Sequence, residues 1–203
     1  HNSQAYVQSY LGAVAAGLIV VPLNVRLLAE DYEHMLRDSG SRALVTTAEF
    51  LPRVPDLLNL TIIRADSEGT GSSHLDELAK QATPITSPME RDTSSPASLM
   101  YTSGTTGAPK AVVLSDRAWA SVADTAMKTL DMGENEVTLH IAPLTHGAGF
   151  LLLPTIMLGG ENLVCASFDA ERTLDLLSSH GVTGMFVVPS MIRMMLDARP
   201  VGW

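Results

Sequence analysis

The chain has 203 residues, 46% of them hydrophobic, which is enough to bury one large core or two small ones. A net charge of −9 with no basic patch argues against a nucleic-acid binder, because nothing gathers positive charge along a phosphate backbone. The single cysteine, Cys165, excludes an intrachain disulfide and a zinc site built on paired cysteines, and is compatible with a reducing, cytoplasmic setting.

Residues 4–16 carry apolar side chains at helical spacing, with Tyr6, Tyr10, Leu11 and Val14 on or near one face. Gly17 marks a helix stop. Residues 18–23 read as a fully buried strand. The apolar run 11–23 that contains them is too short to span a bilayer and is broken by Gly17 and Pro22. A second amphipathic helix covers residues 30–38, with Tyr32, Met35 and Leu36 inward and Gly40 closing it. Strands follow at 43–46 and 61–64. This alternation predicts an α/β fold with a largely parallel sheet covered by helices. Residues 67–73 (Ser-Glu-Gly-Thr-Gly-Ser-Ser) read as a flexible surface loop, and 83–96, with three prolines, as an ordered linker or a subdomain crossing. The expected division is therefore a first subdomain at 1–82, a linker at 83–96 and a second subdomain at 97–203.

Residues 101–115 form the most informative run: Tyr-Thr-Ser-Gly-Thr-Thr-Gly-Ala-Pro-Lys-Ala-Val-Val-Leu-Ser. A strand-like entry at 97–101 leads into a loop of hydroxyls and glycines, then back to strand character at 112–114. Gly104 and Gly107 let the backbone approach an anion closely. Successive N–H groups in such a loop form a concave anion nest. Thr102, Ser103, Thr105 and Thr106 add hydroxyl donors, and Lys110 adds a compact positive charge. The order differs from the common P-loop, in which a lysine directly follows glycine and opens a helix. Here Pro109 precedes the lysine and a strand follows it.

Beyond the loop, a helix is expected at 116–130 with Ser115 as candidate cap. A strand at 137–142 leads to Pro143-Leu144-Thr145-His146-Gly147-Ala148-Gly149-Phe150. Residues past the carboxyl end of a strand in an open α/β sheet commonly face ligand. Gly147 and Gly149 are expected to leave room for a substrate chain. His146 suits hydrogen bonding, proton transfer or steric gating, and equally the capping of a helix start. His140, inside the strand, reads as a packed or edge histidine. An apolar helix at 151–158, closed by Gly159-Gly160, fits a greasy pocket wall and core burial equally. A strand at 162–165 holds Cys165 as a buried structural thiol. A helix at 170–180 capped by Asp169, a strand at 184–188 and a helix at 190–198 complete the pattern. Met191, Met194 and Met195 of that last helix fit core packing. No repeat and no metal-ligand spacing is present.

The run from Tyr101 to Val112 resembles the phosphate loop of the AMP-forming adenylating enzymes: acyl-CoA synthetases, aryl-CoA ligases, peptide-synthetase adenylation domains and firefly luciferase. Only Ala111 departs from the family run, where glycine is usual. Asn2-Ser3, Ala16-Gly17, Val21-Pro22-Leu23-Asn24, the Pro143-to-His146 step and the Gly184-to-Ser190 segment are similar to the family as well. Arg26 sits in a family-like Asn-Val-Arg-Leu and reads as structural.

The resemblance implies a partial acyl-CoA synthetase-like N-terminal domain, with layered, largely parallel sheets under helices. It implies ATP, Mg2+ and coenzyme A as ligands, and a carboxylic acid as substrate. An acyl-adenylate forms first, and a thioester follows. Thr102, Ser103, Gly104, Thr105, Thr106, Gly107 and Lys110 would hold the β- and γ-phosphates, with a loop threonine on the metal. His146 would line the acyl pocket and the path of the thiol. A histidine rather than an aromatic residue at that step leans towards a coenzyme A ligase for a fatty or aromatic acid. An adenylation domain or ligase that loads a carrier protein is the alternative. A nucleotide-binding module without chemistry, suggested by Ala111, is a further one. The chain opens at His1 in a helical pattern and lacks the family's later Tyr-Gly-x-Thr-Glu and Thr-Gly-Asp runs and its small C-terminal domain. It therefore reads as a fragment that is inactive without the remaining parts of the enzyme.

Overall fold

The computed structural model describes residues 1–66, 73–102 and 108–199. Their contacts divide the chain into two units: Gln8–Asp116, and His1–Val7 together with Arg117–Trp203.

Most of the first helix, α1 (Gln4–Ala15), belongs to the Gln8–Asp116 unit. It ends in a paired cap. The Gly17 N–H donates to the Val14 carbonyl at 3.0 Å and the Leu18 N–H to the Ala13 carbonyl at 2.9 Å. Gly17 takes φ +74, the left-handed turn that only glycine adopts without strain. The fully buried strand expected at 18–23 is not formed. Leu18 and Ile19 are 58% and 49% exposed. The segment makes one bridge, Val20 to Ser98, through the Val20 N–H to Ala97 and the Leu99 N–H to Val20. Pro22, which lacks an N–H, stands two residues on.

The second helix, α2 (Ala29–Asp38), buries Tyr32, Met35 and Leu36 as its spacing predicts. The side chain of Asp31 accepts the Leu28 N–H at 3.0 Å, satisfying a donor at the helix start. Strands β1 (Ala43–Thr46) and β2 (Thr61–Arg64) pair in parallel, Ala43 opposite Thr61. Between them a 3-10 turn, Ala48–Arg53, buries Phe50. The short helix α3 (His74–Gln81) is absent from the sequence reading, which gave residues 67–73 to a loop. Residues 67–72 lie outside the described residues, but Ser73 is buried and caps α3. Its hydroxyl accepts the Asp76 N–H at 3.1 Å, while Asp76 accepts the Ser73 N–H at 3.1 Å. That reciprocal Ser-x-x-Asp box was present in the sequence.

Within residues 83–96 the chain is tied by its own side chains. Arg91 grips Asp116 through two bonds, at 2.5 and 2.7 Å. Strands β3 (Pro96–Thr102) and β4 (Lys110–Ser115) follow as an antiparallel hairpin with Thr102 opposite Lys110. This pairing departs from the parallel order of the other strands.

The other unit is built on a three-stranded parallel sheet in the order β6-β5-β7. Its strands are β5 (Val137–His140), β6 (Glu161–Val164) and β7 (Gly184–Met185). Leu139, Ile141 and Cys165 form its core, with Leu163, Phe168, Leu176, Met185 and Val187 packed against them. Cys165 is a buried free thiol, as expected. Around the sheet run α4 (Asp116–Thr129), α5 (Leu152–Met157), α6 (Ala170–Ser179) and α7 (Pro189–Ala198). Asp169 caps α6 by accepting the Arg172 N–H at 2.8 Å. In α7 only Met195 of the three methionines is buried. Met194, expected in the core, is 53% exposed.

Candidate functional site

Two stretches carry the residues singled out by sequence, one in each unit. The first is the mouth of the β3–β4 hairpin. Ser103, Gly104, Thr105, Thr106 and Gly107 lie outside the described residues. The flanking Thr102 and Lys110 are both exposed and face each other across the ladder.

Both limbs of the hairpin are anchored to α2. On the outgoing limb, the Tyr101 phenol donates to Asp38 Oδ2 at 2.6 Å. Burial, and then the carboxylate of Asp38, push that phenol well above the ordinary tyrosine range. On the returning limb, His34 Nε2–H donates to the Pro109 carbonyl at 2.8 Å. The His34 and Tyr101 rings meet edge to face, with centroids 6.4 Å apart and planes at 84°. Sequence reasoning missed His34 and Asp38. They stand four residues apart on α2, so one helical turn serves both limbs.

Ala111 pairs with Tyr101 in the ladder and is not among the residues with positive φ. An alanine is therefore unstrained where the family usually has glycine.

The second stretch leaves the sheet where β5 ends. The buried amide of Asn2 brackets it, donating Nδ2–H to the Ala142 carbonyl and accepting the Leu144 N–H, both at 2.9 Å. A tight turn follows: the His146 N–H donates to the Pro143 carbonyl at 3.2 Å, and the Gly149 N–H to the His146 carbonyl at 2.9 Å. His146 is exposed, at φ −137 and ψ −146, and a 3-10 turn, Gly147–Leu151, continues into α5. Trp119 of α4 packs on Phe150 with ring centroids 5.2 Å apart.

Gly147 and Gly149 do not leave open room, as the sequence suggested. A Cβ on Gly149 would stand 2.1 Å from the Leu144 carbonyl oxygen. One on Gly147 would stand 2.7 Å from the Phe186 ring. The glycines are required by close packing of the turn on its own neighbours. Phe186 thereby borders the turn, while Met185 and Val187 belong to the core. His140 is packed, as expected, at 1% exposure, with Nε2 2.6 Å from Asn162 Oδ1. Among the described residues, no cluster of histidine, cysteine and carboxylate side chains could hold a metal ion.

A family model described as AMP-binding enzyme matches residues 1–202. The chain belongs to that family. It is 32% identical, over 99% of its length, to the fatty acid–acyl-carrier-protein ligase ScoC of Streptomyces coeruleorubidus, of which it covers 39%. It is 33% identical, over 95% of its length, to a feruloyl-CoA synthase of an Amycolatopsis species, of which it covers 38%. Among solved structures it resembles o-succinylbenzoate coenzyme A synthetase from Bacillus subtilis in complex with AMP. There the TM-score is 0.84 at 26% identity, over 99% of this chain and 50% of that one. The AMP-binding fold is thus confirmed, and the chain spans less than half the length of the curated relatives it matches. No helix among the described residues is long and apolar enough to cross a membrane.

Proposed function

We propose that this chain is the triphosphate-gripping part of an AMP-forming acid–thiol ligase that joins a fatty or aromatic carboxylic acid to coenzyme A. The observation that carries the reading is the hydroxyl- and glycine-rich hairpin, tipped by Lys110 and tied to α2 on both limbs, in a chain of the AMP-binding family.

Chemistry on ATP here calls for positioning and charge stabilisation rather than a protein nucleophile. Thr102, Ser103, Gly104, Thr105, Thr106, Gly107 and Lys110 hold the β- and γ-phosphates. The substrate carboxylate attacks the α-phosphorus, the bond to the bridging oxygen breaks, and pyrophosphate leaves with the electron pair. Each donor aimed at that charge contributes about 2–4 kcal/mol. The thiol of the acceptor then attacks the acyl carbon and AMP departs, with His146 beside the acid and the thiol path. Magnesium arriving with the nucleotide would be held on the protein side by a loop threonine, and would supply charge neutralisation on the phosphates. A lone buried thiol is in keeping with a cytoplasmic enzyme.

A second reading, an acyl carrier protein as acceptor, is favoured by the 32% identity to a ligase named for that acceptor. A nucleotide-binding module without chemistry loses its main support, since Ala111 sits unstrained in β4.

The test is ATP–pyrophosphate exchange by the full-length protein across fatty and aromatic acids, followed by thioester formation with coenzyme A or a phosphopantetheinyl carrier protein. Acid-dependent exchange and a coenzyme A thioester support the proposal. A thioester on the carrier alone supports the second reading, and no exchange with any acid refutes both.

A further inference from the structure

We infer that Asn2 is a positioning residue for His146: its side-chain amide takes the place of a neighbouring strand where β5 gives way to the turn. The ladder of β5 with β6 runs to His140 opposite Val164, and the Cys165 N–H donates to the His140 carbonyl at 3.0 Å. Just beyond it, Ala142 and Leu144 are buried, so the carbonyl of one and the N–H of the other need partners. Asn2 meets both at 2.9 Å, donating Nδ2–H to Ala142 and accepting from Leu144 at Oδ1. A carboxamide carries a donor and an acceptor side by side, the pair that a peptide of a further strand would offer. The facing carbonyl and N–H fix which way round that amide lies.

Asn2 is itself buried, and the start of α1 holds the chain beside it. The Ser3 hydroxyl accepts the Tyr6 N–H at 3.1 Å, and the Ser3 carbonyl accepts the Val7 N–H at 3.2 Å. Residues 1–7 belong to the same unit as the turn. Past the bracket, the turn closes on itself. The His146 N–H donates to the Pro143 carbonyl, and the His146 carbonyl accepts the Gly149 N–H. Gly149 lies so close to the Leu144 carbonyl that a Cβ there would stand 2.1 Å from its oxygen. Both backbone groups of His146 are thus used inside a turn whose footing is residues 142–144. Asn2 holds that footing, and so fixes where the exposed His146 is presented.

The functional weight of this role rests on the proposed place of His146 beside the acid and thiol path. Two variants of the full-length protein test it. Asn2→Ala removes both bonds. Asn2→Asp keeps the size and the bond from the Leu144 N–H, and loses only the donor to Ala142. In the alanine variant, the 15N-labelled His146 ring signals shift and the Gly149 amide exchanges about tenfold faster. The kcat for thioester formation falls about 10- to 100-fold with the KM for ATP unchanged. The aspartate variant lies between wild type and alanine in both readouts, and decides alone if the alanine variant does not fold.

His146 signals and Gly149 exchange that stay at wild-type values in the folded variants overturn the inference. So does a loss of kcat that merely tracks the folded fraction. His146→Ala separates the two claims. Full activity there removes the role given to His146, while the resonance and exchange data still decide whether Asn2 holds the turn.

Discussion

The two glycines of the His146 turn make opposite predictions from the same kind of substitution. In Gly149→Ala the new methyl stands 2.1 Å from the Leu144 carbonyl oxygen, more than 1 Å inside an ordinary contact of about 3.5 Å. The obstacle is backbone. Leu144 is held by Asn2 through its own N–H, so relief requires breaking that bond or moving the turn. Overpacking against a fixed neighbour falls at the upper end of the usual range, about 3 kcal/mol. In Gly147→Ala the obstacle is the far edge of the Phe186 ring at 2.7 Å. Phe186 is partly exposed and swings aside, so the expected cost is about 1 kcal/mol.

Urea unfolding of the single variants and of each combined with Phe186→Ala measures both. Phe186→Ala should relieve Gly147→Ala, with a coupling of about 1 kcal/mol, and add independently to Gly149→Ala. Gly149→Ala should also impair thioester formation, because the displaced turn carries His146. A milder Gly149→Ala than Gly147→Ala, or equal relief of both by Phe186→Ala, would refute this account of the turn.

Three further outcomes are expected. Ala111→Gly should bring no gain in adenylation and should cost about 0.5–1 kcal/mol in urea unfolding, since an extended strand position gains nothing from glycine. Tyr101→Phe and Asp38→Ala should each lower stability by about 1 kcal/mol, and the double variant should be little worse than either, because both remove the same bond. His140 has a folded pKa below its unfolded value near 6.5, so the unfolded chain binds the proton more readily. Stability from this group is complete above about pH 6.5 and is lost as pH falls below it, towards the lower folded pKa. His140→Leu should flatten that slope, and an unchanged slope would reject neutral burial.

Much of the fold was legible in the sequence because hydrophobic spacing and glycine stops are local signals. Tyr32, Met35 and Leu36 of α2 were read from period alone, and the stop at Gly17 from the glycine itself. The failures have local causes too. Residues 18–23 are as apolar as a buried strand, yet composition does not say whether neighbouring strands arrive on both sides, and only one bridge forms. The capping box that starts α3 was overlooked beside a serine- and glycine-rich run. In the candidate site, the run of loop residues stood out because chemistry-bearing types are contiguous. His34 and Asp38 did not, since their partners Pro109 and Tyr101 lie more than sixty residues away. Gly147 and Gly149 were correctly singled out and given the wrong reason. Only the fold shows that Phe186 and the Leu144 carbonyl already occupy the space they free.

The grip of the hairpin on a triphosphate is tested most directly by 31P resonance of Mg·ATP titrated with the full-length protein and with its Lys110→Ala variant. The account predicts β- and γ-phosphate signals that shift on binding to the wild-type chain, and affinity at least tenfold weaker in the variant, whose Tm stays within about 1 °C because Lys110 is exposed. Identical titrations for the two proteins, or no response of the β- and γ-phosphates to either, would contradict it.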